Sequence, residues 1–193
     1  MIKAISRREI ILQEAAHLFR EKSYPGSNLR ELAKRAGIQG GSIYHHFSSK
    51  QEILFQLMDH TMEDMFKQLS ALLAPCSCPA ERLRQSIRFH IAYNISGPDE
   101  TYITDDELRN LDTDNYRHII AKRDLYQRLF EETIATGNEE QNWNVDNTKL
   151  VARAIIQMCS GVSRWYKPGG EFNIDQIADQ YFTLLTAGLI SKK

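Results

Sequence analysis

Between Ile10 and Phe47 the apolar residues fall into short runs at helical spacing, broken first by Pro25-Gly26 and then by a single glycine, Gly37. Amphipathic runs this short bury their apolar faces only against one another, which leaves few folds open. Ile11, Ala15, Leu18 and Phe19 mark a first helix over residues 6–22. Asn28 with Glu31 carries a capping-box pattern at the start of a second helix, and Gly37 stands where a left-handed residue closes it. Leu32, Ala36, Ile38 and Ile43 supply a small core against the first helix, with Ala33 small at the crossing point. Two short helices joined by a tight glycine turn fit a helix-turn-helix.

The third helix, residues 40–46, keeps one face exposed. Gly40, Gly41 and Ser42 carry almost no side chain, so their backbone can approach a surface closely. Tyr44, His45 and His46 put hydrogen-bonding groups on an aromatic frame, suited to phosphate oxygens and base edges. The pattern is a probe shaped for a DNA groove. A metal role for the adjacent histidines is disfavoured, because neighbours on a helix diverge and no His or Cys follows four residues along. Charge agrees with a nucleic-acid partner: residues 1–50 hold nine Lys/Arg against four acids, while the remainder holds 15 against 21, for a net charge of -1. A basic head on an acidic body is expected when one end meets a polyanion, although a chance excess of solvated charge explains the numbers equally well.

The remaining chain reads as helices over residues 49–73, 80–95, 99–110, 114–136, 147–166 and 173–190, about nine in all, with no alternating strand pattern. The fold class is all-α. Ser48 with Gln51, Asp146, and Asn173 with Gln176 are the expected helix caps, Pro79 suits a first helical position, and Gly137 is expected to close its helix before a polar loop. Hydrophobic content of 42% and charged content of 25% are those of a soluble globular protein, and no signal peptide or membrane span is visible. A cytoplasmic location follows. Three cysteines make no disulfide framework.

Residues 6–54 resemble the N-terminal domain of the TetR (tetracycline-repressor) family of bacterial transcriptional regulators. Ala15 and Phe19, Leu32-Ala33, Ala36-Gly37-Ile38, Ile43-Tyr44, His46-Phe47 and Lys50 fall in one register without a gap. The resemblance implies a three-helix helix-turn-helix DNA-binding head, residues 1–48, followed by a larger helical ligand-binding and dimerisation body, residues 49–193. It places the family's DNA contacts on Asn28, Arg30, Gln39, Gly40, Gly41, Ser42, Tyr44, His45, His46 and Lys50. Gly40 and Gly41 depart from relatives that read bases with side chains there.

The resemblance also implies a homodimer on a double-stranded, near-palindromic operator, with a small-molecule effector that releases it. Leu150, Ala154, Met158, Gly161 and Trp165 form a stripe on the helix over 147–166, and Ile177, Tyr181, Leu184 and Leu185 one on the last helix. In the family such helices pack against their dimer mates; taken alone, they also read as ordinary core. Arg153, Gln157, Ser160 and Arg164 make a second, polar stripe, either an anion site beside an apolar pocket or surface charge. Residues 160–189, with Trp165-Tyr166 and Pro168-Gly169, resemble the branch that senses acyl-coenzyme A thioesters. Candidate ligand residues are Met58, Met62, Met65, Ile87, His90, Ile91, Asn94, Phe130, Arg164 and Trp165, each of which also reads as core. The expected effector is an acyl-CoA. The alternatives are a multidrug-sensing repressor of an efflux gene, in which Glu63 or Asp64 would matter more, and a redox or metal sensor or enzyme built on Cys76 and Cys78. No nucleophile–base motif or carboxylate pair marks catalytic residues, and no cofactor or metal is expected.

Overall fold

The computed structural model describes residues 6–189. Among them are eight α-helices and three short 3-10 helices: α1 Arg7–Gly26, α2 Leu29–Arg35, a 3-10 helix Gly40–His45, α3 Lys50–Leu73, α4 Pro79–Ser96, α5 Pro98–Asp106, a 3-10 helix Leu108–Asn110, α6 Thr113–Gln141, α7 Thr148–Ser160, a 3-10 helix Gly161–Arg164, and α8 Ile174–Leu189. The chain is all-α, as expected, and no strand occurs among the described residues. The expected end of the last helix, Ile190, lies outside the described residues. Two compact units emerge, one comprising the residues up to Met62 with Asp99–Ala121, the other Glu63–Pro98 with the residues from Lys122 onward.

The first unit is built on Ile11, Ala15, Leu18, Phe19, Leu32, Ala33, Ile43 and Phe47, all buried. Each large apolar side chain removed from water contributes about 1.5–3 kcal/mol. α1 opens on a full capping box, Ser6 Oγ accepting from the Glu9 N–H at 3.2 Å and Glu9 Oε2 accepting from the Ser6 N–H at 2.6 Å. Its helical course stops at Ser23, whose backbone (φ 61°, ψ 163°) lies in a region that costs a non-glycine residue about 1–3 kcal/mol. Asn28 caps α2 by accepting from the Glu31 N–H at 2.9 Å, while the Glu31 carboxylate turns to Lys22 at 2.7 Å and Arg35 at 3.1 Å. At the start of α3 the cap is Ser49, which accepts from the Glu52 N–H at 3.1 Å, and Glu52 returns the bond to Ser48. The expected Ser48–Gln51 pair is displaced by one residue because Gln51 bonds the backbone of Asn110 and Asp112.

In the second unit α4, α6, α7 and α8 bury Leu83, Ile87, Ile91, Phe130, Ile134, Ile155, Cys159, Val162 and Ile177. Asn147, rather than Asp146, caps α7, accepting from the Leu150 N–H at 2.9 Å. The expected helix over 147–166 tightens after Ser160 into a 3-10 turn, which breaks its apolar stripe before Trp165. Asn173 and Gln176 form the expected capping box of α8, both bonds at 2.9 Å. α6 overruns Gly137, its expected end, and the reason lies outside the helix. The Trp143 ring folds back onto Gly137 so closely that a Cβ there would lie 2.1 Å from it. Asn138 pins the same loop, donating to Val145 O at 2.9 Å and accepting from the Val145 N–H at 3.2 Å. Glycine serves close packing here, not a left-handed turn. Gly137→Ala is therefore expected to lose about 1–3 kcal/mol to overpacking, despite the higher helix propensity of alanine. Urea unfolding followed by Trp143 fluorescence measures it, and a stabilised variant would refute the packing role.

Candidate nucleic-acid interface and buried polar cluster

The turn before the exposed 3-10 helix is a full Schellman motif. The Ile38 N–H donates to Ala33 O at 2.9 Å, the Gly37 N–H to Lys34 O at 3.2 Å, and Gly37 is left-handed at φ 68°. Two adjacent arginines hold the far ends of both short helices. Arg7 Nη1 donates to Ala36 O at 3.4 Å; Arg8 Nη1 donates to His46 O at 2.6 Å while its guanidinium lies 4.4 Å over the Phe47 ring and bonds Glu52 at 3.3 Å. Sequence reading missed this role. The available signal was two cations in the first turn of α1, where the helix dipole disfavours them, so their work lies elsewhere.

Ile43 anchors the 3-10 helix in the core and leaves Tyr44 61% exposed. Gln39, Gly40, Gly41 and His45 are exposed, and Ser42 and His46 half-buried. A Cβ built at Gly40 or Gly41 meets no atom within 4 Å, and neither residue has a positive φ. Nothing inside the fold requires glycine at either position. Beside this face the exposed side of α2 presents Asn28, Arg30 and Lys34 around a shallow depression also lined by Glu31 and Arg35. Arg35 is neutralised by Glu21 at 2.8 Å and Glu31 at 3.1 Å. Arg30 and Lys34 form no ion pair among the described residues. Lys50, one of the expected DNA contacts, is half-buried and donates to Tyr24 O at 2.7 Å and Ser27 O at 2.8 Å, with its Nζ 4.1 Å over the Tyr24 ring. Desolvation lowers its pKa, and nearby Glu107 opposes that shift.

Of the ligand candidates, Met65, Ile87, His90, Ile91, Asn94 and Phe130 are buried in the second unit. Met58 and Met62 are buried in the first. Arg164 and Trp165 are exposed at the end of the third 3-10 helix. The buried set contains one polar chain. His90 Nδ1 lies 2.9 Å from Tyr126 Oη and His90 Nε2 2.9 Å from Ser160 Oγ, so one ring nitrogen donates and the other accepts whichever tautomer is present. Asn94 Nδ2 donates to His90 O at 2.8 Å, and Phe130 meets the imidazole edge-on. Burial holds the His90 pKa down to about 4, with Arg123 adding to the shift, and pushes the Tyr126 phenol well above its ordinary value. Tyr126 went unselected in the sequence, and Ser160 reads there only as part of a polar stripe, because their partner His90 lies 36 and 70 residues away.

Burial raises the Cys159 thiol to about 12, which makes it inert. Cys78 is exposed, and the Glu81 N–H, the Gln141 amide and the Ala80 N–H lower its pKa. Among the described residues no three His, Cys, Asp or Glu side chains are grouped to hold a metal ion, and no helix is long and apolar enough to cross a membrane.

Residues 11–57 match the family model described as bacterial regulatory proteins, tetR family, and residues 77–189 match the tetracyclin repressor-like C-terminal domain. The chain belongs to the TetR family. It is 30% identical over 193 residues to the HTH-type transcriptional repressor KstR2 of Mycobacterium tuberculosis, covering 95% of this chain and 93% of that protein. The solved structure of the ketosteroid transcriptional regulator KstR2 from the same organism matches with a TM-score of 0.86 at 26% identity over 98% of each chain. The structure of AibR in complex with isovaleryl coenzyme A and operator DNA matches with a TM-score of 0.85 at 26% identity, over 93% of this chain and 97% of that one. Membership makes the chain a transcriptional regulator with a helix-turn-helix.

The buried imidazole gives this TetR-family chain a defined acid sensitivity. Between pH 6.5 and about 4 the unfolded chain takes up a proton at His90 that the folded chain refuses, so this contribution is intact above pH 6.5 and lost as pH falls. The loss should reach about 3 kcal/mol below pH 4. Urea midpoints across that range are expected to fall more steeply for wild type than for His90→Gln; parallel slopes would refute a neutral buried His90.

Proposed function

We propose that this chain is a homodimeric repressor that binds a near-palindromic DNA operator and leaves it when an acyl-coenzyme A thioester binds. The observation that carries the DNA reading is the exposed face of the Gly40–His45 3-10 helix. It is held from inside by Ile43, glycine-surfaced without internal need, and flanked by Arg30 and Lys34, which form no ion pair among the described residues. In this reading residues 1–48 are the DNA-binding domain and 49–193 the ligand-binding and dimerisation domain. Asn28, Arg30, Tyr44, His45 and His46 meet phosphates and base edges, Gln39 to Ser42 bring the backbone close, and Lys34 joins Arg30 as a phosphate contact. Dimerisation uses the outward faces of α7 and α8, where Leu150 is 63% and Leu184 66% exposed. Apolar side chains left in water on two helices that both pack on α4 call for a partner surface, and a second copy supplies it.

The AibR complex supports an acyl-CoA effector. Within the second unit, Met65, Ile87, Ile91 and Phe130 offer an apolar wall for the acyl chain, and the His90 chain offers hydrogen bonds to a thioester carbonyl. Exposed Arg164 and Trp165 suit the large polar end of such a ligand, whose phosphates stay at the surface. Linkage requires that the effector bind the DNA-free arrangement more tightly, and that DNA weaken effector binding by the same factor. The protein acts in the cytoplasm and carries no catalytic site.

A thermal-shift series tests the effector, with isovaleryl-CoA and longer thioesters set against free acids and cationic drugs. A ligand at a hundredfold excess over Kd stabilises by about 2.7 kcal/mol. Thioesters should shift wild type and not Arg164→Met; cationic compounds alone shifting it would overturn the acyl-CoA reading. For the DNA face, Arg30→Ala and Lys34→Ala should each reduce the salt slope of operator binding by about 0.9. Leu184→Asp should sediment as a monomer and lose tight operator binding.

A further inference from the structure

The turn between α1 and α2 sits at an unfavourable backbone geometry, and two charged side chains from distant parts of the sequence hold it there. Ser23 at φ 61°, ψ 163° is exposed, so packing of its own side chain does not enforce that conformation. The restraints fall on the residues that follow. Lys50 Nζ donates to Tyr24 O at 2.7 Å and Ser27 O at 2.8 Å, clamping both ends of the turn. The Tyr24 N–H donates to Glu107 Oε1 at 3.0 Å, and Asn110 Nδ2 donates to the other carboxylate oxygen. Glu107 is only 4% exposed, and its charge faces the Lys50 ammonium across the turn. Ser27 closes the inside, its hydroxyl donating to Tyr24 O at 2.7 Å. The next residue is Asn28, the cap of α2, and Arg30 follows within the first helical turn.

We propose that Glu107 and Lys50 are positioning residues for DNA binding: they clasp the Ser23–Ser27 turn and thereby set the start of α2, where Asn28 and Arg30 lie. This inference rests on reading Asn28 and Arg30 as DNA contacts. It gives Lys50 a different task from a phosphate contact, because two of its three N–H groups are committed to backbone carbonyls. It also assigns a route for regulation. Glu107 belongs to the segment Asp99–Ala121, which packs in the first unit yet is flanked in sequence on both sides by the second. Asp99 bonds His17 and Arg20 of α1, so the same segment grips α1 before Glu107 reaches its end. A ligand-driven shift of this segment reaches the turn before α2 most directly through the Glu107 carboxylate on the Tyr24 N–H.

The test uses full-length protein and the duplex that wild type enriches from a random-sequence pool, with affinity measured at several salt concentrations. Wild-type enrichment reports on the DNA-binding reading alone, and the variants report on the clasp. Glu107→Gln and Lys50→Met should each weaken binding at least tenfold at every salt concentration, with the salt slope unchanged. Ser23→Gly accepts the left-handed geometry unaided and should bring Glu107→Gln back to within about threefold of wild type. Ser23→Val, at an exposed position that leaves the core intact, resists that geometry and should cost about tenfold in affinity at unchanged helicity. A slope reduced by about 0.9 in Lys50→Met marks a phosphate contact and overturns the positioning role. Wild-type affinity in Glu107→Gln or Ser23→Val, or no rescue by Ser23→Gly, overturns it as well.

Discussion

A helix of six residues leaves more backbone groups unpaired at its ends than it pairs within, and the exposed element Gly40–His45 exists under that constraint. Local bonds such as Ser42 N–H to Gln39 O and His46 N–H to Ile43 O shape it, and further support comes from elsewhere in the head. The Schellman bonds at Gly37 fix its entry, Arg8 donates to the carbonyl at its exit, and buried Ile43 anchors its middle while the element packs on α2. Remove any of these and the outward face loses its orientation before it loses its side chains. The surrounding chemistry follows the same logic, with Arg7 serving the end of α2 and Asn28 its beginning. The head is thus organised around satisfied helix ends, with the apolar core as the platform that brings the satisfying groups within reach.

Features set by local chemistry were legible in the sequence. The helices, the end of the first regular helical run at Lys22, the left-handed Gly37 and the Asn173–Gln176 box all depend on residues within a few positions of one another; the break itself falls at Ser23, two residues before the expected Pro25-Gly26. Features set by distant partners were not. Gly137 reads as a helix stop until Trp143 is seen lying on it, and the two backbone carbonyls that Lys50 bonds lie 26 and 23 residues back, beyond the reach of local pattern. Ser160 reads as part of a polar stripe, yet its hydroxyl turns inward to His90. At the exposed face the types of the residues were visible in advance, whereas the arginine supports that aim it were not.

The second unit contains a different compromise. A chain of hydrogen bonds from Tyr126 through His90 to Ser160 joins α6, α4 and α7 inside an otherwise apolar interior. With every member partnered, the chain fixes the relative register of three helices more narrowly than interchangeable aliphatic contacts do. Keeping His90 neutral is the condition for this, since a charged imidazole there has no counter-ion and must be expelled. On the proposed reading of this cluster as part of the effector site, the same fixed dipoles order the core and select the ligand, so rigidity and selectivity draw on one set of atoms.

The empty space around Gly40 and Gly41 has an evolutionary consequence. Most positions in a folded protein are entangled with stability, and a change of function there must survive a fold that resists it. At these two sites a new side chain projects away from every neighbour and toward whatever the surface meets. On the proposed reading of this face as the DNA contact, single codon changes at these two sites exchange one set of target promoters for another while the architecture beneath stays as it was.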